Sequence, residues 1–114
     1  MKQLSTATGI CLASQAMAET PVLTVYTYDS FATEWGPGPA IEQGFEAQCS
    51  CDLQWVTAGD GAAVLSRLRL EGDGTKADVV LGLDTNLTAT ARDTGLFAPS
   101  GVNADYALPM DWSD

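Results

Sequence analysis

The amino-acid sequence predicts an α/β domain with a parallel, doubly wound sheet. Three segments with strand composition alternate with three segments that have helical spacing or helix caps, so the order is β-α-β-α-β-α. In this order, consecutive strands run parallel and the connecting helices cover the faces of the sheet. The third strand candidate is a continuous apolar run, which is typical of a strand that is buried on both faces.

The strand candidates are residues 21–28 (PVLTVYTY), 52–56 (DLQWV) and 78–83 (DVVLGL). The first two are rich in β-branched and aromatic residues, which fit the pleated surface of a sheet. The third has almost no polar interruption, and we therefore expect both of its faces to be covered.

The clearest helix candidate is residues 61–71 (GAAVLSRLRLE), in which Val64, Leu65 and Leu68 lie on one stripe. Asp60 stands at the N-cap position, and the glycines that begin at Gly72 end the helix.

Two weaker helix candidates flank the clear one. Residues 40–48 follow a Gly-Pro-Gly-Pro break and place Ile41 and Phe45 on one face. Residues 85–93 are predicted to form a helix that ends at Gly95. The tail from Phe97 onward has prolines and no clear periodicity, so no element is predicted there.

The first eighteen residues have the features of an export signal. Lys2 gives a positive start, and Ala16-Met17-Ala18 is an A-x-A cleavage site, although the apolar segment between them is short. We therefore expect residues 1–18 to be a signal peptide that is removed with Cys11. The mature chain would begin near Glu19 in an oxidising compartment such as the periplasm.

The composition is acidic, with 15 Asp+Glu, 5 Lys+Arg and no His in 114 residues. Nucleic acids and anionic membranes are unfavourable partners for such a chain, because they are bound by clustered Lys and Arg. The charge favours a cationic small molecule, although it also serves solubility alone. With no His, no Walker loop, no dinucleotide fingerprint and no nucleophile elbow, the sequence predicts neither an enzyme nor a cofactor or metal site.

Cys49 and Cys51 form a C-x-C motif and are the cysteines expected in the mature chain. In an exported protein they can pair, and the small ring makes such a disulfide easier to reduce. Two interpretations follow from the residues: a thiol-redox site, or a structural clip at the end of a helix.

Loops after the strands mark the expected ligand edge. In a doubly wound sheet, ligands bind beyond the carboxyl ends of the strands. The loops there are residues 28–30, 57–61 and 84–85. Aromatic and acidic side chains are concentrated in or near these loops: Tyr26, Tyr28, Phe31 and Trp35, with Asp29, Glu34, Asp60 and Asp84.

These side chains have both binding and structural interpretations. An aromatic surface beside carboxylates attracts a cationic ring. Tyr26 and Phe31 fit the core better, whereas Tyr28 and Trp35 fit a pocket or a packed loop equally well. Asp60 and Gly61 open a helix, where backbone N–H groups can hold a phosphate, but Asp60 can equally serve only as the helix cap.

Several segments together resemble the N-terminal part of the periplasmic thiamine-binding proteins of ABC importers. They are YTYDSF and WGPGP, FEAQCSCDL, the Asp-Gly before LSRLRLEG, ADVVLGLDTNL and TGLFAPSGV, within residues 21–102. The resemblance implies the front part of lobe 1 of a two-lobed, type II periplasmic-binding-protein fold that closes on its ligand.

The resemblance also implies a ligand, a partner and site residues. The ligand is thiamine, thiamine monophosphate or thiamine diphosphate (thiamine pyrophosphate), and the partner is a membrane permease. Tyr28 and Trp35 match the residues that line the family's pocket, and Asp60 and Gly61 match the pair that contacts the ligand.

The chain departs from the family in length, because family members are much longer. Residues 19–114 would be a partial N-terminal lobe, with the second lobe absent, and we expect this segment alone to bind thiamine weakly. Alternatives are a binding protein for another cation or an iron complex, a thiol-redox protein that uses Cys49 and Cys51, and a truncated product without independent function.

Overall fold

A computed structural model describes residues 19–103, together with Gln3, Gly9 and Ala107. The predicted signal peptide therefore lies almost entirely outside the described residues. Among the described residues, none of the helices combines the length and the apolar character that crossing a membrane requires.

The sheet is parallel, with the strand order β2-β1-β3. Strand β1 (Val22–Thr27) pairs with β2 (Asp52–Thr57) along its whole length, and it pairs with β3 (Val79–Val80) through Val25 and Tyr26. Because β1 is central, the chain first builds to one side of it and then crosses to the other. This reversal creates a switch point between the carboxyl ends of β1 and β3.

Helices cover both faces of the sheet, which confirms the doubly wound architecture. Helix α3 (Gly61–Glu71) packs Val64 and Leu68 against Tyr26 of the central strand. Two helices, α1 (Asp29–Ala32) and α2 (Gly38–Cys49), precede β2 in the chain.

The face opposite α3 is held by aromatic and polar contacts. The ring of Phe31, in α1, lies 5.4 Å from the ring of Trp55 in β2. The Trp55 indole Nε1 donates a 2.9 Å hydrogen bond to Glu42 in α2. Both faces of the short sheet therefore carry helices before the chain reaches β3.

Helix α3 has the bounds that the sequence predicts. The Asp60 side chain accepts a 2.8 Å hydrogen bond from the Ala63 N–H, as an N-cap does. A short 3₁₀ turn at Gly72–Gly74 follows the helix. The predicted stripe is buried: Val64, Leu65 and Leu68 are each at most 3% exposed.

The predicted third strand is wrong in length and in burial. Only Val79–Val80 pairs with β1, and Val79 is 43% exposed. The chain leaves the sheet soon afterwards, because Gly82 adopts a φ of 95°, which no strand residue has. Among the described residues β3 is also an edge strand, so the apolar run is covered less than its composition predicts.

The helix predictions also need correction. The last helix, α4 (Thr88–Asp93), begins three residues later than predicted, because the Asp84 side chain accepts hydrogen bonds from the N–H groups of Asn86 and Leu87 and forms a turn there. The sequence does not predict α1, whose single turn is too short for helical periodicity to appear.

Candidate functional site

The loops after β1 and β2 meet at the carboxyl edge of the sheet. The Asp29 N–H donates a 2.8 Å hydrogen bond to the Gly59 carbonyl. Next to it, the Ala58 N–H donates a 3.1 Å hydrogen bond to the Thr27 carbonyl. The two loops are therefore fixed to each other through backbone groups, which leaves their side chains available for other contacts.

The loop after β3 joins this edge through two glycines. A Cβ on Gly61 would lie 2.6 Å from the Gly82 carbonyl oxygen, so the start of α3 fits against this loop only without a side chain. A Cβ on Gly82 would overlap the ring of Tyr28. Tyr28, Gly61 and Gly82 are consequently packed together at the switch point between β1 and β3.

Gly82 lies in the candidate site, although the sequence pattern does not single it out. The signal for it exists, because an isolated glycine inside an apolar strand-like run often marks a close backbone approach. Its left-handed φ and its contact with Tyr28 give that approach a specific place in the fold.

Tyr28 is half-buried at this edge, and its ring packs edge-on against Phe31, with 5.7 Å between the ring centroids. Tyr26, two residues earlier, is only 3% exposed, and its hydroxyl donates to Glu71 on the α3 side. The core interpretation of Tyr26 and Phe31 is therefore confirmed, whereas Tyr28 lies at the border between the core and the edge.

Trp35 lies in the loop between α1 and α2 and is 89% exposed. The prediction that its ring could pack on the loop is wrong, because this exposure leaves almost no surface covered by the described residues. The structure thus brings Tyr28, Gly61 and the cap residue Asp60 together, and it presents Trp35 to solvent beside α1.

Asp60 combines a structural role with free binding capacity. Its Oδ1 atom caps α3 through Ala63, and its carboxylate is exposed at the same time. The N–H groups of Gly61 and Ala62 belong to the first turn of α3, so they have no partner within the helix. The positive end of the helix dipole and one carboxylate therefore lie side by side.

The charge at this edge is negative. Exposed carboxylates lie on the loops after all three strands, at Asp29, Asp60 and Asp84. Residues 28–37, 57–61 and 81–87 contain no Lys or Arg. A cationic group is therefore attracted to this edge. For an anionic group, these described loops offer the backbone N–H groups at the start of α3 and no basic side chain.

Cys49 and Cys51 lie at the opposite edge of the sheet, where α2 ends and β2 begins. The structure joins them in a disulfide, with their Cα atoms 5.2 Å apart. In the part of the chain that the structure describes, no group of three or more His, Cys, Asp or Glu residues has the geometry to hold a metal ion.

Known proteins are similar to this chain in sequence and in fold. A thiamine-binding periplasmic protein of Escherichia coli K12 is 59% identical over 95 residues, which is 82% of this chain and 29% of that protein. The chain is thus similar in sequence, over most of its own length, to a periplasmic thiamine-binding protein. A relative with the same name from Brucella abortus is 53% identical over 107 residues, or 93% of this chain and 31% of the relative.

The solved structure of a periplasmic thiamin binding protein matches with a TM-score of 0.77 and 56% sequence identity, over 87% of this chain and 31% of that structure. This match confirms the predicted fold class. The chain spans only about 30% of the length of its thiamine-binding relatives. A comparison with protein-family models finds no match.

Proposed function

We propose that this chain forms one wall of the ligand site in the substrate-binding component of an ABC importer. The ligand is thiamine or one of its phosphate esters, captured in the periplasm and delivered to a membrane permease. The relatives are named as periplasmic thiamine-binding proteins, and this name is the starting point of the proposal.

The observation that carries the proposal is the meeting of three strand-end loops at one acidic edge. The thiazolium ring of thiamine is a permanent cation, and carboxylates together with aromatic rings attract such a ring. In the proposed site, Tyr28 and Trp35 provide the aromatic surfaces and Asp60 provides the charge. The exposed position of Trp35 suits a side chain that is covered only when ligand binds.

Gly61 has a second part in the proposal. Its lack of a side chain permits the close contact with Gly82, and it also leaves the first N–H groups of α3 open. Phosphate groups bind well at such a helix start, since the N–H groups and the helix dipole both attract anions. The same corner can therefore accept thiamine monophosphate or diphosphate.

A calorimetric titration with thiamine tests the proposal. It is run on the whole product of the reading frame that encodes this chain, beside residues 19–114. We expect strong binding by the long product and weak binding by the segment, which holds only one wall. A folded long product that does not bind thiamine contradicts the proposal, and submicromolar binding by residues 19–114 alone contradicts the one-wall interpretation.

Two pairs of variants separate binding from folding in the long product. Trp35→Ala should weaken thiamine binding by roughly tenfold or more, because an aromatic contact to a cation is lost. Leu70→Ala is the matched control, since Leu70 is also 89% exposed but lies at the far end of α3. Equal affinities for the two variants would remove Trp35 from the site.

At Asp60, two substitutions are compared so that one of them keeps the helix cap. Asn and Asp cap helices equally well, so Asp60→Asn removes the charge and keeps the cap, whereas Asp60→Ala removes both. We expect both variants to lose thiamine affinity and only Asp60→Ala to lose stability. If Asp60→Asn binds thiamine like the parent protein, the carboxylate does not contact the cation.

The proposal includes no catalysis, because the proteins to which this chain is similar are named as binding proteins. Residues 1–18 are proposed as the signal peptide, and N-terminal sequencing of the exported protein tests this directly, with Glu19 as the expected first residue.

The alternative ligand, a different cation or an iron complex, is tested by the same calorimetric titration as thiamine. In that case, a polyamine or a ferric chelate would bind more tightly than thiamine.

A further inference from the structure

The disulfide between Cys49 and Cys51 lies far from the proposed ligand edge and plays no part in it. We propose that this disulfide is a thiol-exchange site, at which low-molecular-weight thiols such as glutathione open and close the bond while the domain stays folded. Its supporting observations are access to one sulfur, backbone support of the turn, and a bend that keeps the two cysteines close together.

Access favours one of the two sulfurs. Cys49 ends α2 and is exposed, whereas Cys51 precedes β2 and is half-buried. Thiol–disulfide exchange needs an attacking thiolate to reach one sulfur, and the rate depends on that access. The attack therefore occurs at the Cys49 Sγ, and the Cys51 Sγ is the leaving thiolate.

The exchange is balanced with two thiols. The first thiolate forms a mixed disulfide with Cys49 and releases Cys51 as a thiolate. The second thiolate attacks the sulfur of the bound thiol, which releases Cys49 and the oxidised thiol pair. The two thiols supply two electrons and two protons, and both cysteines end as thiols. An oxidised thiol pair drives the same steps in reverse.

Backbone and side-chain bonds hold this turn without the sulfurs. Glu46 accepts twice: its carbonyl from the Ser50 N–H at 3.2 Å, and its Oε1 from the Leu53 N–H at 2.8 Å. The Asp52 N–H donates to the Pro21 carbonyl at 2.9 Å. Because the disulfide closes a ring over only one intervening residue, it restricts the unfolded chain little. The fold therefore does not depend on it.

The bend at Ser50 is the left-handed C-cap of α2. Ser50 has a φ of 52°, and it is the one non-glycine residue with a positive φ in the described part of the chain. Residues with a Cβ pay a conformational cost in this left-handed region, where glycine is usual after a helix. The bend brings the cysteine Cα atoms to 5.2 Å, within the range for a disulfide. Because the Ser50 N–H bond to the Glu46 carbonyl holds this bend, the bend persists when the disulfide opens and keeps the two thiols close enough to pair again.

The exchange site is separated from the proposed ligand edge by the length of β2. That strand has 6 residues, and a strand rises about 3.3 Å per residue, so the two ends lie roughly 20 Å apart. The exchange therefore leaves Tyr28 and Asp60 in place. The ligand affinity of the long product should be the same in the disulfide and dithiol forms.

The test uses the whole product of the reading frame under native conditions. It is incubated at about pH 8 in a series of reduced-to-oxidised glutathione ratios, trapped by alkylation and weighed by mass spectrometry, with far-UV circular dichroism in parallel. We expect the glutathione adduct and the dithiol to form while the circular dichroism spectrum stays unchanged. If the disulfide opens only in denaturant, or if its reduction unfolds the protein, the proposal is wrong.

Two variants test which sulfur is attacked, in a Cys11→Ser background that removes the one cysteine of this sequence outside the C-x-C motif. Cys51→Ser leaves the exposed thiol, and Cys49→Ser leaves the half-buried one. We expect the first to form its adduct with oxidised glutathione several-fold faster, with both variants folded by circular dichroism. Equal or reversed rates would overturn the assignment of Cys49 as the attacked sulfur.

Discussion

The two ends of α3 are built by different means. At its last turn, the Glu71 carboxylate accepts hydrogen bonds from the Tyr26 hydroxyl at 2.9 Å, from Arg67 Nε at 2.7 Å and from the Thr75 hydroxyl at 2.9 Å. The Arg67 guanidinium also lies 4.9 Å from the centre of the Tyr26 ring. The first turn has one carboxylate cap, at Asp60, and is positioned by backbone contacts with Gly82.

This difference separates stability from binding capacity. Three donors converge on Glu71, so this end of the helix has little capacity left for a ligand. At the other end, glycines bring backbones close together and leave a carboxylate and N–H groups exposed. A site that binds and releases a ligand needs such unused groups, and rigid elements must hold them in place. Substitutions at the two ends should therefore act through different contacts: strain and overpacking at the first turn, and lost hydrogen bonds at the last turn.

The largest loss of stability is expected from Gly82→Ala, beside the first turn of α3. The new methyl group would overlap the Tyr28 ring, and alanine is disfavoured at a φ of 95°. Strain and overpacking together should lower the free energy of unfolding by roughly 2–5 kcal/mol. Urea unfolding followed by circular dichroism measures this loss.

Gly44→Ala is the matched control for Gly82→Ala. Gly44 lies inside α2, and a Cβ there would meet nothing within 4 Å. Alanine is the better helix former, so this variant should gain about 0.5–1 kcal/mol. If both variants have the same stability, the close approach at the switch point does not exist in solution.

A comparison of helix α3 with strand β3 shows where reasoning from the sequence succeeds and where it fails. The bounds of α3 and its Asp60 cap are predicted correctly, because an amphipathic stripe, a cap and a glycine stop all lie within a few neighbouring residues. The run DVVLGL is predicted as a long buried strand, and only Val79–Val80 pairs. Strand pairing depends on distant residues, so composition alone cannot set its length.

The candidate site is predictable to a similar degree. The rule that ligands bind at the carboxyl ends of parallel strands selects Tyr28 and Asp60 from the order of elements alone. It does not select Gly82, whose contacts with Tyr28 and Gly61 join residues more than twenty positions apart in the sequence. Nor does it give the exposure of Trp35, which depends on how the loop after α1 folds.

The next largest loss of stability is expected at the last turn of α3. Tyr26→Phe keeps the buried ring and removes the hydroxyl that donates to Glu71, so we expect a loss of about 1–2 kcal/mol. Tyr28→Phe is the control just past the end of the same strand, because its half-buried ring lies at the carboxyl edge of the sheet. We expect it to change the unfolding free energy by less than about 0.5 kcal/mol. Equal losses would mean that the Tyr26 hydrogen bond adds nothing.

A smaller effect is expected in acid. The hydrogen bond from Arg67, with those from Thr75 and Tyr26, lowers the pKa of Glu71 below its ordinary value of 4.5, although partial burial opposes this. A lowered folded-state pKa contributes stability that is present above about pH 4.5 and is lost as the pH falls through the folded value. Stability should therefore decrease in acid as Glu71 is protonated.

Glu71→Gln tests this dependence by thermal unfolding between about pH 3 and 7. The variant should be less stable than the parent at pH 7, and its stability should change less with pH below 4.5, the ordinary pKa of this carboxyl group. Glu34→Gln, in an exposed loop, is the control for the loss of one negative charge and should be as stable as the parent at pH 7. Parallel profiles for Glu71→Gln and the parent would show that this carboxylate is not the titrating group.

The smallest effect, a gain, is expected from Thr27→Val at the open edge. Thr27 is fully buried at the end of β1, and its hydroxyl has no hydrogen-bond partner among the described residues. Burial without a partner costs free energy, and valine has nearly the same shape without the hydroxyl. The variant should therefore unfold at higher urea, with a gain of up to about 1 kcal/mol. Thr57→Val, exposed on β2, is the control and should gain less. If Thr27→Val instead loses stability, the Thr27 hydroxyl bonds to an ordered water, and this buried polar group at the carboxyl end of β1 has a hydrogen-bond partner after all.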